Sequence, residues 1–344
     1  MIFRWLLVAT FVVTPSLLHA EARRIIFDTD FILPPGDDGL ALLLALGSPE
    51  LEILGVTTVA GNESVERATS DALWLLELTG HAEIPVYRGA DMPWLHEKSD
   101  YAVTHYGNWY SDEAPPAPPG GFANKSAENE GAVEFIVRTV LANPGEITIV
   151  AIGPLTNIAT AIRQDARFAE SVRELVIMGG AIASLPDGAG NITPNAELNF
   201  WVDPEAAHAT LRSGIPILLS PLNVSRKTAL RKEWYEKMVA AETPTPVTKL
   251  LETTMGPHFE RDPGLVCLMY DQVAVASLID PTLVETVELF VDVDVHPGIN
   301  YGTSVGGTEI WPGAEGARRI RVQHDIDWPR FIEMFVERVT AAGR

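Results

Sequence analysis

Short apolar runs alternate with apolar stretches of helical period along most of the chain. Ile25 to Phe27 predicts a strand and Leu40 to Leu46 an apolar helix. Leu51 to Ala60 predicts a second strand, carried by Ile53, Leu54, Val56 and Val59, with Gly61-Asn62 at its end. Val65 to Thr79 has helical spacing, with Ala68, Ala72, Leu75, Leu76 and Leu78 inward, and Gly80 closes it. Ile84 to Tyr87 predicts a third strand and Gly131 to Ala142 a helix. Ile147 to Ile152 predicts a fourth strand, ended by Gly153-Pro154 before a helix from Leu155. Val172 to Met178 predicts a fifth strand and Ile215 to Leu219 a sixth. Between them Asp203-Pro204-Glu205 opens a helix with proline in its first turn. Helices follow to about residue 260, and Asp271 opens another, Val273 to Leu278. Val284 to Val295 and Arg318 to Val322 predict a strand pair, and Trp328 to Val339 a last amphipathic helix. This order predicts an α/β fold: a mostly parallel, doubly wound sheet flanked by helices, in a single domain.

Two stretches break the pattern. Residues 1–20 read as a secretory signal, with Arg4 before the apolar run Trp5 to Val13 and small residues after Pro15. Cleavage is expected after Ala20 or Ala22, leaving a domain over 21–344; an uncleaved anchor is the alternative. Residues 88–126 are irregular and carry Trp94, His96, Tyr101, His105, Tyr106, Trp109 and Tyr110. They predict either a loop pinned by aromatic anchors or a lid that stacks on a flat ring such as a base.

Composition narrows the partners. The chain has 344 residues, 47% of them hydrophobic, and a formal charge of −21. That charge repels phosphate backbones and anionic lipid, which excludes nucleic-acid polymers and, after signal removal, membrane surfaces as partners. Cys267 is the only cysteine, so no internal disulfide forms. Asn62, Asn124, Asn191 and Asn223 all lie in Asn-x-Ser/Thr sequons, two of them near the expected site. An exported, unglycosylated protein, periplasmic or secreted, is the reading that fits.

The chemistry gathers where the first strand meets the first helix. Asp28, Asp30, Asp37 and Asp38 fall there, at the carboxyl edge where α/β sheets bind ligands. Helix capping explains Asp37 and Asp38 but not the two acids on the strand side. Crowded carboxylates repel unless a cation lies between them, and hard oxygen donors suit Ca²⁺ or Mg²⁺ rather than zinc. The amide-rich loop Gly190 to Phe200, with Asn191, Glu197 and Asn199, can grip hydroxyls.

The ordered motifs resemble those of the inosine–uridine-preferring nucleoside hydrolases. They run from Asp28-Thr29-Asp30 and Gly36-Asp37-Asp38 through Thr57 to Asn62 and Ile152 to Ala159. Val176 to Gly180, Asn191 to Asn199, Asp203 to Ala207 and Asp271 to Ala276 follow. The resemblance implies hydrolysis of a ribonucleoside into ribose and base, around one Ca²⁺. It implies Asp30, Asp38 and Asp271 as side-chain ligands and Ile152 as a carbonyl ligand. It further implies a metal-bound water as nucleophile, Asp30 as its base, and Asn62 orienting Asp30 or the water. Asp37, Asn191, Glu197 and Asn199 would hold the ribose, and the protein would be a homodimer or homotetramer acting in purine or pyrimidine salvage.

Two positions depart from the family. The turn Phe31 to Gly36 is longer than its usual Pro-Gly turn, and Asp30 and Asp37 can both reach one ion if the extra residues bulge outward. Tyr270 stands where many members have a His that protonates the leaving base. His105, Tyr106, His258 and stacking by Trp109 are the candidates to replace it, with Tyr270 itself as a hydrogen-bond donor near the base. Three rival readings remain. A non-catalytic Ca²⁺- and nucleoside- or ribose-binding protein would keep the grip without turnover. An N-ribosyl hydrolase acting on a cationic base, such as nicotinamide riboside, would need no proton donor. A haloacid-dehalogenase-like phosphatase would use the Asp-x-Asp but needs a downstream Lys on a strand end, which is not seen.

Overall fold

A computed structural model describes residues 22–97, 114–240 and 243–343. The first half of the chain alternates strand and helix: β1 (Arg23–Thr29), α1 (Asp37–Leu46), β2 (Leu51–Thr58), α2 (Val65–Leu78) and β3 (Val86–Arg88). Then come α3 (Ala132–Ala142), β4 (Thr148–Ala151), α4 (Thr156–Gln164), α5 (Phe168–Ser171) and β5 (Glu174–Met178). Next are α6 (Leu198–Val202), α7 (Pro204–Leu211), β6 (Ile217–Ser220) and the single turn α8 (Leu222–Ser225). The helices α9 (Lys232–Val239), α10 (Pro246–Thr254), α11 (Gly256–Arg261) and α12 (Asp271–Ile279) follow. The chain ends with β7 (Val284–Val293), β8 (Ser304–Gly307), β9 (Arg318–Ile326) and α13 (Trp328–Ala341).

The nine strands form one sheet in the order β3-β2-β1-β4-β5-β6-β9-β7-β8. β1 to β6 and β9 run parallel, and β7 pairs antiparallel with both β9 and β8. The central strands are buried on both faces, which is why Thr148 to Ala151 reads as an unbroken apolar stretch around one threonine. Each face carries its own core. One packs α1, α2 and α12 with Phe331 and Phe335 of α13, and the other packs α3, α4 and α7.

β1 and β4 are neighbours, but the chain leaves β1 toward β2 and β3 on the opposite side. That reversal opens a crevice at the carboxyl ends of β1 and β4, where open α/β sheets hold their ligands. Asp30 follows β1 and Ile152 follows β4, so both stand at this point.

The Phe31 to Gly36 turn does not bulge outward. Phe31 is fully buried in the first core, and the Gly39 amide donates to the Ile32 carbonyl (3.0 Å), folding the turn back under α1. Burying Phe31 outweighs any gain from swinging the loop into water. A β-carbon on Gly39 would lie 2.5 Å from Pro34 Cδ, so this close return needs glycine there.

Candidate active site

The N-termini of α1 and α12 lie side by side at the crevice, and the Gln272 amide ties them by donating to the Asp37 carbonyl (3.2 Å). This packing brings Asp37, Asp38 and Asp271 together, with ligand oxygens all within 4.8 Å of one another. Asp30 stands outside that threesome, but its carboxyl is within hydrogen-bond reach of Asp38. Asp30, Asp38 and Asp271 are almost wholly buried, and Asp37 is half-buried.

Capping accounts for only part of this cluster: the Asp37 carboxyl accepts the first main-chain amides of α1, its own and that of Asp38. Gly36 is the residue before α1 and offers no side chain, and Tyr270 before α12 makes no side-chain cap. Asp38 instead accepts from Thr29 Oγ1 (2.5 Å) and from Asn62 Nδ2 (3.2 Å). Asp30 accepts the Asn62 main-chain amide on Oδ2 (2.6 Å), while its Oδ1 is buried with no hydrogen-bond partner among the described residues. Asn62 therefore orients two acids at once, Asp30 by its backbone and Asp38 by its side chain.

Burial pushes all of these carboxyls up, and repulsion between them adds to it at Asp30, Asp38 and Asp271. Burial is the larger cause throughout. Asp38 is raised to about 7 by burial and then by Asp37. Asp30 lies well above the usual carboxylate range through burial and then through Asp38 and Asp37. Asp271 is likewise far up, through burial and then Asp37, Asp38, Asp30 and Glu197. An all-oxygen cluster of this kind, without Cys or His, can hold a hard divalent cation.

Asp28 takes a different place. Thr57 Oγ1 (2.5 Å) and Asn157 Nδ2 (2.8 Å) donate to its Oδ1, and burial raises it to about 6. Asn157 also donates to the Thr58 carbonyl and accepts the Ala90 amide (2.9 Å), so it ties β1, β2 and the turn after β3 together. Thr29, Thr57 and Asn157 fall within the family motifs but carried no role of their own in the sequence reading, and threonine in a strand reads only as a good β-former.

Two motif glycines hug Asp30. A β-carbon on Gly61 would lie 2.2 Å from Asp30 Oδ2, and one on Gly153 would lie 2.8 Å from the Asp30 amide nitrogen and 2.9 Å from Oδ1. Gly153→Ala is expected to displace Asp30 and cut turnover about 100-fold, while circular dichroism stays native. Unchanged turnover in that variant would show that Asp30's position is not critical.

The residues expected to hold the ribose sit on and beside α6. Glu197 is buried and accepts the amides of Gly180 (2.8 Å), Asn199 (2.8 Å) and Phe200 (3.1 Å). Burial still raises it to about 7. Asn199 donates its amide to the carbonyls of Ile152 (3.0 Å) and Met178 (3.2 Å), so only its Oδ1 is left for a sugar hydroxyl. Asn191 is exposed, and its Oδ1 accepts the Leu198 amide (3.0 Å), closing the loop. Tyr270 is half-buried and close enough to Asp37, Arg226, Glu197 and Asp271 to respond to all four charges. His258 lies on α11 against Arg261 (3.1 Å). His105, Tyr106 and Trp109 lie outside the described residues.

Known proteins share this framework. Residues 25–333 match the family described as inosine-uridine preferring nucleoside hydrolase. The pyrimidine-specific ribonucleoside hydrolase RihB of Escherichia coli is 31% identical over 310 residues, covering 90% of this chain and 95% of its own. Among solved structures, a plant nucleoside hydrolase, PpNRh1, superposes with a TM-score of 0.77 at 28% identity, over 92% of this chain and 99% of that one. A purine-preferring ribonucleoside hydrolase from Gardnerella vaginalis gives 0.76 at 30% identity, over 93% and 99%. The phosphatase and the non-catalytic binder readings give way to this agreement. Over almost its whole length the chain belongs to the inosine-uridine preferring nucleoside hydrolase family, and it is an N-ribohydrolase acting on N-glycosyl compounds.

Proposed function

We propose that the chain hydrolyses the N-glycosidic bond of ribonucleosides in a Ca²⁺-dependent reaction with Asp30 as general base. The observation that carries this is the asymmetry of Asp30. One oxygen is fixed by the Asn62 amide, and the other is buried with no hydrogen-bond partner among the described residues. A carboxylate held at one oxygen and open at the other is placed to take a proton from water. Burial and then the neighbouring Asp38 and Asp37 raise its affinity for protons, the direction a general base needs.

Asp38, Asp271, Asp30 and the Ile152 carbonyl would hold the ion, and Asp37 lies near enough to share in the set. Bound there, Ca²⁺ supplies positive charge to sugar hydroxyls and to the attacking water. Asp37, Glu197, Asn191 and Asn199 bind the ribose. Bond breaking builds positive charge on the sugar ring, and the surrounding carboxylates stabilise it. Recognition through hydroxyls rejects 2′-deoxyribose, because its loss leaves buried polar groups unpaired.

Base preference is set on the far side of the sugar. One relative is named pyrimidine-specific and another purine-preferring at nearly equal identity, so kinship does not choose. Tyr270 donates a hydrogen bond to the base in our reading, and His105 and Tyr106 are the candidates to protonate or stack on it. A base that leaves without a proton, as in nicotinamide riboside, is the second substrate class, favoured by Tyr270 standing in the acid's place.

Export to the periplasm or outside the cell belongs to the same proposal. Asn223 is buried and Asn62 already bonds two acids, so neither has room for a glycan in the folded chain. A homodimer or homotetramer is proposed, to be read by light scattering.

Ribose release from inosine, adenosine, uridine, cytidine, nicotinamide riboside and 2′-deoxyinosine, with and without EGTA, tests the reading. We expect release from at least one ribonucleoside, its loss with EGTA, and a rate on the deoxy analogue lower by about 10⁴-fold. Turnover that survives complete chelation would overturn the Ca²⁺ assignment.

A further inference from the structure

The loop between β5 and α6 is clamped from outside the pocket. α8 is only one turn long, but Asn223 within it and Arg226 just after it both reach the segment 182–190. Asn223 accepts the Ile182 amide (2.9 Å) and donates to the carbonyls of Ile182 (3.1 Å) and Pro186 (2.7 Å). Arg226 donates from Nη1 to the carbonyls of Asp187 (2.5 Å) and Ala189, and from Nη2 to that of Gly190 (3.0 Å).

Three carbonyl dipoles from four consecutive residues thus converge on one guanidinium. Without a cation they would repel, and a planar fork of donors can meet several of them at fixed angles where an ammonium is a single point charge. The backbone there has little freedom to rearrange. A β-carbon on Gly188 would lie 2.1 Å from the Ile182 carbonyl, and one on Gly190 would lie 2.3 Å from those of Ala196 and Thr193. Asp187 is held in the left-handed region, at φ 61°.

This segment leads directly into the sugar-binding side. The Gly190 amide donates to the Pro194 carbonyl (2.9 Å), and the next residue is Asn191, bonded onward to Leu198. At its other end Gly180 donates to Glu197. Arg226 is also near enough to Tyr270 to act on its phenol, which places it along the same wall as Asp37 and Glu197.

We propose that Arg226 is a positioning residue for sugar recognition: by gathering the carbonyls of Asp187, Ala189 and Gly190 it holds Asn191 and Glu197 against the ribose. The inference rests on the nucleoside hydrolase reading and acts on ground-state binding rather than on the base. Steady-state kinetics on the best nucleoside of the panel test it, with Arg226→Ala, Arg226→Lys and wild type. Each is measured with and without sub-denaturing guanidinium chloride.

For Arg226→Ala we expect KM to rise roughly tenfold or more with kcat within about threefold. Added guanidinium should bring KM back toward the wild-type value in Arg226→Ala and leave the wild type unchanged. Arg226→Lys should recover only part of the loss. Unchanged KM in Arg226→Ala, or a rise that guanidinium does not reverse, would overturn the inference. If Arg226→Ala does not fold, Arg226→Lys decides: a raised KM at native Tm supports the clamp, and an unchanged KM removes it. A wild type inactive on every nucleoside sinks the hydrolase reading and this inference with it, whereas an active wild type matched by Arg226→Ala sinks this inference alone.

Discussion

Asp30→Asn lowers ribose release by at least about a thousandfold and makes the chelated protein more heat-stable. In our reading the first effect follows from Oδ1, which is buried with no hydrogen-bond partner among the described residues and is the atom we assign to take the proton. An amide of the same shape cannot accept it, and removal of a positioned base costs about 10²–10⁴-fold, with more added if Asp30 also touches the ion. The second effect follows from charge. Asp30 is buried among Asp37 and Asp38, whose proximity disfavours its ionised form. A neutral amide removes that repulsion and keeps the Asn62 amide supplied with an acceptor. Kinetics and thermal melts in EGTA check both halves. A variant as active as wild type would remove Asp30 from the base role, and a lower Tm in EGTA would contradict the repulsion argument.

The metal-free protein loses stability as pH rises through neutrality, and calcium restores it. The folded pKa values of Asp38 and Glu197 are raised to about 7, and those of Asp30 and Asp271 are also raised well above the ordinary value, by burial first and then by the neighbouring acids. Between about pH 4, where these acids ionise in the unfolded chain, and their folded values, the folded state holds more protons. Stability therefore falls as pH rises across that window, by up to about 1.4 kcal/mol per pH unit for each extra proton held. A bound cation favours the ionised carboxylates, so it should raise Tm far more at pH 8 than at pH 5. Melts at both pH values with EGTA and with excess CaCl₂ measure the difference. Equal calcium effects at the two pH values would show that the cation does not sit on these acids.

The fold was legible wherever apolar runs carried it. Strands β1 to β6 and helices α1 to α4 and α7 follow from runs such as Ile147 to Ala151 and Leu40 to Leu46, whereas the short helices α5 and α6 do not, α6 starting at Leu198 inside the stretch Gly190 to Phe200 read as a loop. β8 was not, because Ser304-Val305-Gly306-Gly307 has one apolar side chain and no alternation, and its pairing with β7 is set by tertiary contact. The place of β9 was only half legible. Its pairing with β7 was expected, but its parallel contact with β6 at Leu218 and Leu219, which joins the antiparallel end to the parallel sheet, leaves no local mark.

At the site, the acids announced themselves because helix capping explains Asp37 and Asp38 but leaves the two carboxylates on the strand side unexplained. Their support did not. Gly61 and Gly153 read as strand-ending glycines, and only the approach of Asp30 shows that each clears space for a carboxylate. Asn199 read as a sugar ligand, yet its amide nitrogen is committed to the Ile152 and Met178 carbonyls. Asn and Gln offer donor and acceptor alike, so sequence gives their capacity and only packing gives their partner.

Calcium titration calorimetry on EGTA-stripped protein, with ribose release measured in the same samples, tests the central claim most directly. The account predicts one calcium site per chain, activity that rises in proportion to its occupancy, and loss of that site in Asp38→Asn. Full activity in stripped protein that binds no calcium would contradict it.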